Sequence, residues 1–569
     1  MASELIGDRA NLALLTLKKA KRLTMGHFLK SPLLRWRYGG PPIQNLLLIP
    51  QELRTCDPSF AVEIETGYFG LSGVAVNTQG ASPFAVNAPN NIWKRELNGF
   101  SWLRHLRSGE DGISKTYAVN LFNEWITRNK TIGGVAWEPH VVARRIISWL
   151  THSAILLDDT DRLTRERYIK SLTKHIRVLS GSLAETPDGY DRLVSFLALV
   201  LAGLCIDQQE KLLDDNLKRF CNEIDRQIAP DGGHISRNSQ VNCEILLDLL
   251  PLKQCFSARN RPPPQTIIDA IQRMIQFLKF MRLGDGNLAR FNGCSTTYPD
   301  TLGTLISYDD VNLPSQLPLQ SSGYTRLQHN NTILIMDTGP PPSITVSGEA
   351  HAGCLSFEFS SGAVPILVNN GAPNLTSQQW KLQSRTTSSH NTLTITDSAS
   401  SEIIQPPLLS LNEEPFLLRG PKSVECTIRE NEKATLVRAS HNGYADRFGL
   451  IHIRRIMLEK SGNVLKGEDR LDQTPKVRKR SVSSGWPFAI HFHIHPDIAV
   501  ARDESNEQIC LTLPDGQQWR LISTNNIIQI EESLYLADFR DARRSVKLVI
   551  RGIYQAGVKI LWMFEKILV

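Results

Sequence analysis

No run of apolar residues in this sequence reaches the ~20 needed to cross a bilayer. The longest, Leu193 to Ile206, stops well short. Cysteines are few and solitary, at positions 56, 205, 221, 243, 255, 294, 354, 426 and 510, with no C-x-x-C pair. An odd set of isolated cysteines, several inside apolar stretches, argues against a disulfide framework or a zinc knuckle. It fits buried thiols in a reducing compartment. The opening MASELIGDRANLALLTLKKAKRL lacks an uninterrupted apolar core, because Asp8, Arg9 and Lys18 break it. A secretory signal is not expected there, so a cytoplasmic protein is, with the periplasm as the alternative. Neither charge dominates: 64 basic against 57 acidic residues leave a formal +7. That balance suits an acidic ligand without requiring one, and gives no reason to expect a nucleic acid. Internal repeats, low-complexity tracts, a P-loop, a dinucleotide fingerprint, G-x-S-x-G and H-E-x-x-H are all missing.

What is present is length and a change of period. At 569 residues, 41% hydrophobic and 21% charged, the chain is an ordinary globular protein with two or three domains. Residues 1–90, rich in Pro, Gly and Asn, suggest an irregular N-terminal wrap with one early helix. From there to about residue 285 the pattern is helical. Glu138-Pro139 opens a helix, Tyr168, Leu172, Ile176 and Leu179 form a stripe, and Leu193 to Ile206 is apolar nearly all round. Pro262-Pro263-Pro264 starts another helix, with Gly284 as its expected stop. Successive amphipathic helices of this kind pair antiparallel in a bundle or ring. After about residue 325 the period becomes two, as in TILIM (332–336), LSFEF (355–359), TLTIT (392–396) and FAIHFHIH (488–495). Strands without intervening helices imply stacked antiparallel sheets. The fold class is therefore α+β multidomain, with the helical unit at 91–320 and the antiparallel unit at 321–569.

Several segments carry chemistry. Trp93, Trp102, Trp125, Trp137 and Trp149 sit at helix-like positions, where a flat ring either stacks on a sugar or fills the core. Trp137 is the candidate for sugar contact, and Arg144, beside Arg145, for gripping a carboxylate with its fork. The segment Asp231-Gly232-Gly233-His234-Ile235-Ser236-Arg237-Asn238 joins a Gly-Gly turn to a His, an Arg and an Asn. On a helical turn His234 and Arg237 would share a face, one accepting a proton while the other neutralises an anion. His351 and His390 each precede a strand and, with Asn369 at a turn, could converge on a metal or a substrate, although structural histidines fit the pattern too. His491, His493 and His495 alternate along one strand and read as a polar sheet face, and the basic run at 477–480 as a solvated loop.

These residues resemble the bacterial heparinase II/III family of polysaccharide lyases, in a branch common in alphaproteobacteria. The similar stretches include ELNGFSWLRHL (96–106), WEPHVVARRIISWL (137–150), DGGHISRN (231–238), HAGCLSFEFSSG (351–362), NNGAP (369–373), RTTSSHNTL (385–393) and FHIHP (492–496). They run in family order from about residue 90 onwards. The resemblance implies an α/α toroid followed by an antiparallel β-sandwich, with a substrate cleft between them. It also implies β-elimination on a uronic-acid polysaccharide or oligosaccharide. Such a lyase needs a group to neutralise the uronate, a base for the adjacent proton and an acid for the leaving oxygen. By this likeness His234, Arg237 and Tyr298 are the catalytic candidates, with Asn238, Trp137, Arg144 and Arg385 contacting substrate. Metal-binding relatives carry G-H-x-H-x-D and a later Asp. Here Glu349, Gly353 and Asn369 stand at those places. That leaves His351 and His390 as ligands of a degenerate zinc site. Two other readings remain: a non-catalytic saccharide-binding relative, and a glycoside hydrolase on the same scaffold using Asp231 and Glu244.

Overall fold

The computed structural model describes residues 45–107, 112–309, 321–373, 378–404, 415–474, 485–503, 508–524, 526–538 and 542–568, with a few isolated positions before them. The expected early helix within the first 42 residues and the basic run at 477–480 lie almost wholly outside the described residues. The rest forms an α/α toroid followed by an antiparallel β-sandwich.

Residues 57–77 form regular elements. A helix, Pro58–Glu65, is followed by a hairpin of Tyr68–Leu71 and Val74–Asn77. Its two-residue turn is Ser72-Gly73, both at positive φ, which matches the twist of the flanking strands. Phe69 and Leu71 anchor the hairpin in the toroid core.

The toroid is built from helices including Gly112–Arg128, Pro139–Thr151, Arg162–Ser182, Tyr190–Cys205, Glu210–Gln227, Ser239–Ala258 and Gln265–Phe280. Pro139–Thr151, Tyr190–Cys205 and Ser239–Ala258 are buried on almost every side, which makes them the inner wall. Glu210–Gln227 is amphipathic and turns its apolar face inward through Leu213, Phe220 and Ile224. The helix expected to stop at Gly284 ends earlier, at Phe280. Gly284 instead meets the second half. Its N–H donates to Ser360 Oγ at 2.9 Å, and a Cβ there would lie 1.8 Å from Gly362 O.

The five tryptophans at helix-like positions, 93, 102, 125, 137 and 149, are all core, none more than 4% exposed. The expectation that Trp137 contacts sugar is corrected here. Its ring stacks on His175 at 4.8 Å and faces the interior.

Among the described residues, the second half holds three antiparallel sheets of four or more strands. The largest runs in the order Val424–Glu430, Ala434–His441, Leu450–Glu459, Val464–Gln473, Lys559–Ile567, Gln518–Ser523, Gln508–Thr512, Ala499–Arg502. The others are Ile528–Tyr535, Arg543–Ile553, Pro487–His493, Leu393–Ile395, and Tyr324–His329, Thr332–Asp337, Phe357–Ser361, Val364–Leu367. Between them lie Phe357, Phe359, Trp519, Trp562 and Phe564. This core also holds charge. Arg454 grips both oxygens of Asp469, which accepts in addition from His452 and Trp562. The remaining Arg454 donors reach Leu355 O and Asn391 O, so the pair fixes the loops that carry His351 and His390. His491 and His493 are buried too, and the polar side of FAIHFHIH is met by Thr394, Ser533 and the Ser388 carbonyl.

Candidate functional site at the toroid–sandwich junction

The segment 231–238 is a turn and not a helical face. Its backbone crosses so close to the helix Gln265–Phe280 that a Cβ on Gly232 would lie 2.0 Å from Arg273 O, and Gly232 has φ +90°. The helix begins only at Ser239, with Asn238 as its N-cap accepting from Gln240 N–H at 3.0 Å. His234 and Arg237 therefore point differently from the expected i,i+3 pair.

His234 is 1% exposed. Its Nε2 lies 2.7 Å from Gln227 Oε1, while Nδ1 accepts from Ser236 N–H at 3.1 Å and lies 2.7 Å from the Ser236 hydroxyl. Burial pushes its pKa down to about 3, so the ring is neutral with both nitrogens engaged.

Arg237, at φ +61°, leaves the toroid and enters the sandwich. Nε donates to Ser322 O, Nη1 to Gly339 O and Pro340 O, and Nη2 to Gly323 O and Asp337 Oδ1. A guanidinium has five N–H donors, and all five are used. Burial alone would lower its pKa. The Asp337 carboxylate at 2.5 Å more than offsets that and keeps it charged. Arg237 is thus an interdomain pin, and the expected contact with a substrate carboxylate has no donor left to make it.

The other expected contacts are also met from within the protein. Arg144 donates to Asp248 at 3.0 Å and to the Tyr190 hydroxyl at 2.6 Å, so the carboxylate it grips is its own chain's. Arg385 donates to the carbonyls of Ser347, Ala350 and Pro415. The carboxylates proposed for a hydrolase are engaged separately, Asp231 by Ser322 and Glu244 by Arg54, so they do not form a facing pair. Tyr298 is the remaining candidate. It is 64% exposed, at the start of the helix Pro299–Ser307.

His351 and His390 do come together, Nδ1 to Nε2 at 2.9 Å. His390 Nδ1–H donates to Thr386 O at 2.7 Å, so its Nε2 must accept the His351 proton. Burial holds the His390 pKa down at about 4 and that of His351 lower still. The donor set does not fit zinc. Gly353 offers no ligand and packs on the His390 ring. The Asn369 oxygen accepts from Asn391 N–H. Among the described residues no three His, Cys, Asp or Glu side chains gather as a metal site.

What the junction offers at its surface is different from the expected triad. Asn238 Nδ2 reaches across to Glu349 Oε2 of the sandwich at 3.2 Å, and Glu349 is exposed. The loop after Gly293 joins the sandwich where Ser295 Oγ donates to Ala372 O, and it ends at Tyr298. Trp380, 37% exposed, lies on the short helix Gln378–Ser384 that leads into Arg385. Trp380 was not singled out from sequence, although its place just before RTTSSHN was a signal. A second missed group is Glu358, a charge in the middle of LSFEF. It is fully buried, accepts from Arg290 N–H and Asn369 N–H, and has its pKa pushed up to about 7 by burial.

Residues 313–562 match the family model described as Heparinase II/III-like, C-terminal. The strand-rich half is a heparinase II/III-like C-terminal domain. The whole chain shares its fold with the crystal structure of heparinase III, at TM-score 0.69 and 13% identity, over 97% of this chain and 91% of that one. The heparan sulfate lyase HepC from Pedobacter heparinus aligns at TM-score 0.58 and 13% identity, over 98% and 88%. A relative from Caulobacter vibrioides, FtsZ-localized protein C, is 26% identical over 545 residues, covering 92% of this chain and 91% of its own. The strand-rich half thus carries the family's C-terminal domain, and the chain as a whole has the toroid-and-sandwich fold of heparinase III. Among the described residues, no helix is long and apolar enough to cross a membrane.

Proposed function

We propose that this heparinase II/III-like protein binds a saccharide where the toroid meets the sandwich and keeps the lyase scaffold without elimination chemistry at His234 and Arg237. The observation that carries this reading is the saturated guanidinium of Arg237, whose five donors all end on the protein itself. β-Elimination depends on neutralising the uronate carboxylate, and the group expected to do it is spent on Asp337. The buried, doubly bonded His234 supports the same view. The test is digestion of a panel of uronate polysaccharides followed in the ultraviolet, run beside a direct saccharide-binding assay. Binding without a rise in absorbance is the expected result. A rise that disappears in His234→Ala would overturn it.

One observation favours the lyase as a second reading. Asn238, itself buried, places its amide 3.2 Å from the exposed Glu349 of the sandwich, and Tyr298 is 64% exposed at the start of the helix Pro299–Ser307. In that case Asn238 pairs with the uronate and Tyr298 supplies the proton. Absorbance that rises with wild type and falls at least tenfold in Tyr298→Phe, with His234→Ala unaffected, would establish it.

A further inference from the structure

We infer that Glu358 is a proton-controlled latch on the seam between toroid and sandwich, closed while its carboxyl group is neutral and loosened when it ionises. The strand Phe357–Ser361 is where the chain leaving the toroid is fastened. Two of its residues, Glu358 and Ser360, take the N–H groups of Arg290 and Gly284 at 3.0 and 2.9 Å. The other Glu358 oxygen accepts from Asn369 N–H at 2.7 Å, and the Asn369 amide donates back to Arg290 O at 3.3 Å. One fully buried side chain thus ties the segment leaving the toroid to a turn of the sandwich.

A carboxylate in that place is costly. Burial favours the neutral acid and outweighs the Arg290 guanidinium and the two backbone N–H groups, which favour the anion, so the pKa is pushed up to about 7. Asp285, on the departing segment, adds a like charge that pushes the same way. The guanidinium compensates only in part. Its Nη1 is held by Leu288 O at 3.2 Å, its carbon lies 5.5 Å from the Tyr535 ring centre, and its buried Nε has no partner. On the adjacent strand the residue opposite Glu358 is Ile335, which carries no charge. The other ionisable groups around Arg290 and Glu358 are Cys294, Tyr535 and, edge-on to Tyr535 at 5.3 Å, His495. Burial holds Cys294 up at about 11, raises Tyr535 as well, and holds His495 down at about 4. None of these three changes charge between pH 6 and 8, whereas Glu358 does. Beyond His495, Asp497 and Arg543 pair with each other at 2.6 Å.

Opening the seam returns Glu358 to water and to its ordinary value of 4.5. The closed seam therefore binds the proton more tightly than the open one. What Glu358 contributes to closure is full below pH 4.5 and is lost as pH rises through about 7. Across pH 6 to 8 the opening equilibrium gains about tenfold. A rise in pH through neutrality thus softens the joint that fastens the toroid to the sandwich.

The test is amide hydrogen exchange on the full chain between pH 6 and 8, with each rate divided by the intrinsic rate at that pH. Protection of the Arg290 and Asn369 amides in wild type is expected to fall about tenfold across that range. The inner helix Tyr190–Cys205 should show no such fall. Glu358→Gln, which keeps the shape of the neutral acid, should remove the dependence. Because that substitution sits in a packed interior, a second measurement uses wild type alone: the carbon-13 carboxyl resonance of Glu358 should titrate near pH 7. The latch is overturned by flat protection at Arg290 and Asn369, by an equal fall throughout the inner helix, or by a dependence that survives in folded Glu358→Gln. A Glu358 carboxyl already ionised at pH 6 overturns it as well.

Discussion

Two buried arginines separate the toroid core from the junction. Arg145 is fully buried in the toroid, with its guanidinium 4.1 Å from the Trp125 ring centre and near Trp137 and Trp149. Its Nη atoms donate to Asn98 O and Ala136 O at 2.6 and 2.8 Å. Burial lowers its pKa strongly, and rings and carbonyls are what compensate the charge. Arg237 is buried as deeply but ends on a carboxylate. The first is a cation tolerated by a polarizable box. The second is half of an ion pair whose members come from different halves of the molecule.

That difference can be broken by mutation. The largest effect is expected for Asp337→Ala, which strands the Arg237 guanidinium without its counter-charge and should cost about 3–5 kcal/mol in a denaturant titration. A cost under about 1 kcal/mol would mean that the carbonyls alone hold the charge. Arg145→Met removes a cation with no acid to orphan. The lost hydrogen bonds are offset in part by the lost desolvation penalty, so about 2 kcal/mol is expected. Equal costs for the two variants would erase the comparison.

A smaller effect sharpens it through pH. The folded pKa of His234 is about 3, below the ~6.5 of an unfolded histidine, so the unfolded chain binds the extra proton. Its contribution is full above pH 6.5 and is lost progressively as pH falls toward 3, reaching about 1.4 kcal/mol by pH 5.5. The pH dependence of the unfolding free energy should flatten by that amount in His234→Gln. An unchanged slope would show that His234 is not the neutral, buried ring described. Smallest of all is Tyr298→Phe, at a side chain 64% exposed, with less than about 0.5 kcal/mol expected on the same titration.

Much of the fold was legible because period and burial coincide. The apolar stretch ending at Ile206 became the inner helix Tyr190–Cys205, and the alternation after residue 325 became sheets. The hairpin at 68–77 was not, because its strands are four residues each and the Ser72-Gly73 turn is lost among other turn residues. At the site, the Asn238 cap before an apolar run marked a helix start, and weighing it would have put His234 and Arg237 ahead of the helix. The partner of Arg237 left no such trace, because Asp337 lies a hundred residues away. His351 and His390 could converge on a metal or substrate by their strand-entry places, and the two rings meet at 2.9 Å. That they bind each other depends on ring orientation, which no spacing encodes. Glu349 was visible as a departure, but its exposure against Asn238 belongs to tertiary structure.

The meeting of Gly284 with Gly362 sets a manufacturing tolerance for the whole molecule. With main chain against main chain and no side chain between them to yield, the toroid and sandwich fit as ground surfaces rather than as padded ones. Exchanging the sandwich for that of a distant relative would therefore not be a modular operation. The incoming turn would have to bring its own backbone carbonyl to the same place, because a methyl group on Gly284 would stand 1.8 Å from the Gly362 oxygen and hold the halves apart.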